Sequence, residues 1–120
     1  MEEKTIMIVE DDVQQAEILH ALLVEETPYR IIVASEARTT LEFLAHSQVK
    51  PDLFLLDYRL PGMDGLELYR QIRQQEGEVP VLLLSAGPPP FSEHTASLVT
   101  LRKPFAFDDL LATIEHLLEG

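Results

Sequence analysis

The chain has 120 residues, 46% of them apolar and none of them cysteine. That length suits one domain able to bury its own core, and the missing cysteines exclude disulfides, thiolate nucleophiles and thiolate-held metals. Asp and Glu number 21 against 9 Lys and Arg, a net charge of -12 that argues against a surface for nucleic acid or anionic lipid. The opening Met1-Glu2-Glu3-Lys4 is charged and lacks a leader's apolar stretch. The apolar blocks 53–56 and 81–84 are far too short to cross a bilayer. The expectation is a soluble, cytoplasmic single domain covering residues 1–120.

In chain order, short apolar runs alternate with amphipathic stretches. Residues 6–9, 31–34, 53–56, 81–84 and 98–101 have strand length, and several are β-branched. Their near-continuous apolar character suits strands covered on both faces, as in a parallel sheet. After the first run, helical spacing of apolar residues appears at Ala16, Leu19, Leu22 and Leu23; after the second, at Ala37, Leu41, Leu44 and Ala45. Residues 65–75 carry Leu68 and Ile72 four apart, and Phe107, Leu110, Leu111, Ile114, Leu117 and Leu118 form the cleanest stripe. Asp12 with Gln15, and Asp64 with Glu67, have the spacing of helix-start caps. Between the fourth and fifth runs lies Pro88-Pro89-Pro90, which removes backbone donors and leaves room for only a short helix or none. The alternation predicts an α/β sandwich around a parallel sheet with right-handed crossovers.

In such sheets ligands bind beyond the carboxyl ends of the strands. Here those ends carry Glu10-Asp11-Asp12, Asp57, Ser85 and Lys103. Taken singly, each has an ordinary explanation: acids favour helix starts, and an aspartate after a strand is a common turn residue. Their joint arrival at one edge is harder to explain that way. Carboxylates ~5 Å apart at an effective dielectric of ~20 repel by roughly 3 kcal/mol per pair, so Glu10, Asp11 and Asp57 call for a cation. Hard oxygen donors without His or Cys select Mg²⁺, Mn²⁺ or Ca²⁺ over zinc. With a lysine and a hydroxyl they make a phosphoryl-binding site, in which an aspartate can itself be the nucleophile.

Ile-Met-Ile-Val-Glu-Asp-Asp at 6–12, Leu-Leu-Asp-Tyr-Arg-Leu-Pro-Gly-Met-Asp-Gly at 55–65, Ser85-Ala86 and Lys103-Pro104-Phe105 resemble the receiver domain of two-component response regulators, over nearly the whole chain. The resemblance implies a flavodoxin-like (βα)5 three-layer sandwich with strand order 2-1-3-4-5. It implies that Asp57 is the phosphoacceptor, with Asp11 and Asp57 on Mg²⁺, Glu10 reaching the ion through water, and the Arg59 backbone carbonyl completing the set. Ser85 would contact the phosphoryl group after transfer, and Lys103, before a typically cis proline, would pair with its oxygens. The phosphodonor would be a phosphohistidine on a histidine kinase or histidine phosphotransfer protein, and an output domain could accompany the receiver in a longer protein. Two departures make the output face atypical: Thr100 stands where the family usually has an aromatic residue, and the stretch from Ser85 to Lys103 is short.

Two other readings stand beside this one. A Mg²⁺-dependent phosphatase with an aspartyl nucleophile would carry a second acid two residues after Asp57, where this chain has Arg59. A receiver-like interaction module without phosphotransfer would be expected to lack one of the acids or Lys103. The receiver reading makes the chain a signalling switch, with slow loss of its own phosphate as its one enzyme-like act.

Overall fold

The computed structural model describes residues 3–88 and 97–119. Five strands, β1 (Thr5–Val9), β2 (Arg30–Ala34), β3 (Leu53–Asp57), β4 (Val81–Ser85) and β5 (Leu98–Arg102), form one parallel sheet in the order β2-β1-β3-β4-β5. The helices described are α1 (Val13–Glu26), α2 (Ala37–His46), α3 (Gly65–Glu76) and α4 (Phe107–Glu119). The expected short or absent helix between the fourth and fifth strands falls largely on residues 89–96, which lie outside the described residues.

The strands are apolar on both faces because both faces are covered. Met7, Val9, Phe54, Leu56 and Leu83 pack with Leu44 of α2 and with Leu68 and Ile72 of α3. The alternating residues Ile6, Ile8, Leu53, Leu55, Leu82 and Leu84 pack with Leu19 and Leu23 of α1 and with Leu110 and Ile114 of α4. A period of two therefore divides each central strand between two cores. Burying a leucine or isoleucine in either contributes roughly 2 kcal/mol relative to leaving it in water.

Two expected core positions are corrected. Ala45 is exposed, and Thr40 is buried on α2 instead, its hydroxyl donating to the Glu36 carbonyl at 2.9 Å. That bond removes the cost of burying an unpaired hydroxyl. Phe107, placed at the head of the α4 stripe, is the first residue of the helix and is 48% exposed. The ladder also runs further than the apolar runs indicate. Asp57 is the last residue of β3, paired with Leu84, and Arg102 ends β5 opposite Ser85. The backbone of a polar residue can extend a ladder as well as that of an apolar one, so hydropathy stops one residue early.

Candidate functional site

Glu10 follows β1 directly, and its amide donates to the Ala34 carbonyl at 3.0 Å, which pins it between β1 and β2. Its side chain turns inward and is only 2% exposed. Oε2 accepts from the Asp12 amide at 3.1 Å, whereas Oε1 is buried without a hydrogen-bond partner. Burial is the main force pushing the Glu10 carboxyl up to about 7, and the negative charge of Asp57 acts in the same direction. Protonated, Glu10 can also share its hydrogen with Asp57; the Asp12 amide and Lys103 pull the other way.

Asp57 projects from the last rung of β3, half-buried, and Asp11 sits exposed at the turn into α1. Glu10, Asp11 and Asp57 bring carboxylate oxygens within 4.8 Å of one another. Lys103, one residue past β5, reaches back over this cluster. Its Nζ donates to Asp57 Oδ1 at 3.2 Å and to Gln15 Oε1 at 3.2 Å, and lies 3.8 Å from Glu10 Oε1. The Lys103–Pro104 bond is cis, as the resemblance implied.

Backbone bonds beyond the strands hold these side chains in place. The Tyr58 amide donates to the Leu84 carbonyl at 2.8 Å, and the Lys103 amide to the Ser85 carbonyl at 2.7 Å, so three strand ends are tied in sequence. Ser85 is 4% exposed, and its Oγ donates to the Gly87 carbonyl at 2.6 Å. After Asp57 the chain turns through Pro61-Gly62, where Gly62 takes a φ of 76° that a β-carbon would strain. The loop closes where the Gly65 amide meets the Tyr58 carbonyl at 2.7 Å. Asp12 and Asp64 cap their helices as expected, accepting from the Gln15 and Glu67 amides at 3.0 and 2.8 Å.

The structure thus gathers Glu10, Asp11, Asp57 and Lys103 into one cluster. Ser85 is buried on the neighbouring strand with its hydroxyl committed to Gly87, and Arg59 lies exposed in the loop two residues past Asp57. Two contributors are not evident in the sequence reading. Gln15 has a signal there only as the third residue after a cap. Gly65 has a faint one, since a helix that begins with glycine gives up propensity for some other reason.

A doubly wound parallel sheet that presents clustered acids, an ammonium and a buried hydroxyl at its carboxyl edge defines a class of proteins that bind a cation and an anionic group there. The comparisons with known proteins are specific. The model of the response regulator receiver domain family matches residues 6–115, and the chain belongs to that family. It is similar to the response regulator MprA of Mycolicibacterium vanbaalenii, 36% identical over 118 residues that cover 94% of this chain and 49% of that protein. The chain therefore spans about half the length of the curated relatives it matches. Among solved structures it is similar to the signal receiver domain of an HD domain-containing protein from Pseudomonas fluorescens, at 27% identity and a TM-score of 0.86, covering 98% of this chain and 96% of that one. It is also similar to the response regulator TrrA of Thermotoga maritima, solved in complex with Mg²⁺-BeF, at 30% identity and a TM-score of 0.77, covering 96% of this chain and 99% of that one. The chain is a receiver domain of the two-component signalling class, in which phosphotransfer to an aspartate is the general function.

Proposed function

We propose that Asp57 is the residue that takes up the phosphoryl group, and that residues 1–120 form a single receiver unit. The observation that carries this is the position of Asp57: on the last rung of β3, 3.2 Å from the Lys103 ammonium, with Glu10 and Asp11 completing an acid cluster within 4.8 Å. The donor is a phosphohistidine on a histidine kinase or histidine phosphotransfer protein. An Asp57 carboxylate oxygen forms the new bond to phosphorus, the P–N bond to the imidazole breaks, and the imidazole leaves with that electron pair, neutral because its other ring nitrogen already carries a proton. Lys103 pairs with the phosphoryl oxygens as charge builds there, and Ser85 donates its hydroxyl to one of them afterwards.

The donor set fits Mg²⁺. It is all oxygen, it is anionic, and it contains a buried carboxylate oxygen, Glu10 Oε1, that lacks a partner. Asp11 and Asp57 would hold the ion directly, Glu10 through water, and Arg59 through its backbone carbonyl. Bound there, the ion supplies positive charge against which the acid cluster and the incoming phosphoryl group can coexist. The TrrA complex with Mg²⁺-BeF supports this reading.

The domain acts as a switch whose chemistry beyond uptake is slow loss of its own phosphate. Arg59, exposed where a phosphatase of the aspartyl-nucleophile type would need an acid, speaks against that alternative. The length of the relatives supports an accompanying output domain, and the charge of -12 speaks against nucleic-acid binding by this segment. Among the described residues no helix is long and apolar enough to cross a membrane. Intact mass after incubation with acetyl phosphate and Mg²⁺ tests the central assignment. One hydroxylamine-labile phosphate is expected on the wild type and none on Asp57→Asn; equal labelling of both would overturn it.

A further inference from the structure

We infer that Gln15 is a positioning residue for Lys103: its side-chain carbonyl holds the ammonium away from the buried Glu10 oxygen and so keeps the acid cluster open to a divalent cation. The inference rests on the reading of Asp57, Asp11 and Glu10 given above. An ammonium has three donors and no acceptor. In the structure Nζ has two partners from different elements, Asp57 Oδ1 from β3 and Gln15 Oε1 from the first turn of α1, both at 3.2 Å. The next acceptor, Glu10 Oε1, lies 3.8 Å away, is buried, and has no hydrogen-bond partner of its own.

A buried carboxylate oxygen without a donor attracts the nearest cation strongly, because desolvation has removed the water that would otherwise satisfy it. Freed of Gln15, the ammonium would shift inward to bridge Glu10 and Asp57. It would then supply to both acids the positive charge that a divalent ion supplies, and it would compete with that ion. Gln15 opposes the shift with a neutral acceptor. A carboxylate in its place would hold Lys103 still more tightly but add charge to an already acidic edge, whereas the amide restrains without charge. Its location also matters. Gln15 borders, with Ile18, Leu84, Lys103, Pro104, Phe105 and Phe107, a surface cavity of about 330 Å³, so the restraint stands at an exposed position of α1 while acting on a group at the site.

The test uses the ammonium itself. In ¹⁵N-labelled protein without Mg²⁺ or phosphate, the Lys103 side-chain signal, assigned by its loss in Lys103→Met, reports how firmly its donors are held against exchange with water. It should report new hydrogen-bond partners in Gln15→Leu, with a shift toward that of a Glu10-bonded ammonium. It should stay unchanged in Gln14→Ala, one residue away, and remain bonded to the α1 side chain in Gln15→Glu. By calorimetry, Gln15→Leu should weaken Mg²⁺ binding roughly threefold, the scale of one modest hydrogen bond, and should do nothing in a Lys103→Met background. An unchanged Lys103 signal in Gln15→Leu, or an effect on Mg²⁺ that persists without Lys103, overturns the inference. If the wild type instead takes up no phosphate at Asp57, the functional reading fails, and the ammonium signal, which needs neither metal nor phosphate, still decides the role of Gln15.

Discussion

Gly65 is packed against the main chain of Asp57: a β-carbon at position 65 would stand 2.7 Å from the Asp57 carbonyl oxygen. The same atom would meet Leu83 Cδ1 at 2.6 Å and Tyr58 Cα at 2.9 Å. The first turn of α3 is thereby seated on the end of β3, and the Gly65 amide bond to Tyr58 closes the intervening loop. A residue eight positions away along the chain thus helps fix where the Asp57 side chain starts.

Gly65→Ala should therefore destabilise the fold, although alanine is the better helix former by about 1 kcal/mol. The obstructing atoms include backbone, which cannot yield without displacing the ladder that holds Asp57. Overpacking of this kind costs about 1–3 kcal/mol. Urea denaturation should show a lower midpoint with little change in slope, and phosphate uptake from acetyl phosphate should slow. A midpoint at or above that of the wild type would show that the loop absorbs the methyl group freely.

Glu10 gives the metal-free protein an unusual pH dependence. Its carboxyl is raised from 4.5 to about 7 in the folded chain, so between those values the native state binds more protons than the unfolded state. Stability attributable to Glu10 is fully present below 4.5 and is lost as pH rises through about 7. The loss is at most about 3 kcal/mol. Thermal melting without divalent ions should fall across this window, and Glu10→Gln should flatten that part of the profile. A profile identical in wild type and variant would contradict the assignment to Glu10.

Mg²⁺ should raise the melting temperature, and more so at the alkaline end of that window, where Glu10 is ionised. A ligand that binds only the native state adds about 1.4 kcal/mol at ~10 times its dissociation constant. In Asp11→Asn, which keeps the size of the side chain but removes a charge from the cluster, the response should shrink markedly. An equal response in both proteins would exclude Asp11 from the site.

Strand identity and the convergence of the acids were legible because each depends on local pattern, whereas the strand order β2-β1-β3-β4-β5 was implied only by the family resemblance. Apolar runs name the strands, helical spacing separates them, and an α/β alternation sends every strand end to one edge. Thr40 was not legible: threonine reads as polar, and only the bond from its hydroxyl to Glu36 lets it replace Ala45 in the core. Asp57 was legible as the end of its strand, but the rung at Arg102 escaped because hydropathy is blind to a backbone ladder. Gln15 escaped for a different reason. Its partner lies 88 residues away, and no spacing along the chain encodes an encounter set by the packing of α1 against the end of β5.

Ser85 carries the last expectation. Its single hydroxyl hydrogen is committed to the Gly87 carbonyl at 2.6 Å, and it cannot be given to a phosphoryl oxygen at the same time. Leu84 is the partner of Asp57 in the ladder, so Ser85 lies one residue further along the same edge. A charged acceptor offers about 1 kcal/mol more than a neutral one, so a phosphoryl group on Asp57 should draw the hydroxyl away and release Gly87. Thr100, half-buried and paired with Leu83, has no ring with which to follow that movement into β5. The change should therefore remain local. Hydrogen exchange with and without beryllofluoride should differ at Ala86 and Gly87, and Ser85→Ala should abolish that difference while still accepting phosphate on Asp57. Leu98–Arg102 and α4 should exchange at nearly the same rate in both states, and sizing should show no new dimer through that face. Strong new protection across β5 and α4 would mean that the strand responds to phosphorylation through some route other than a ring at position 100.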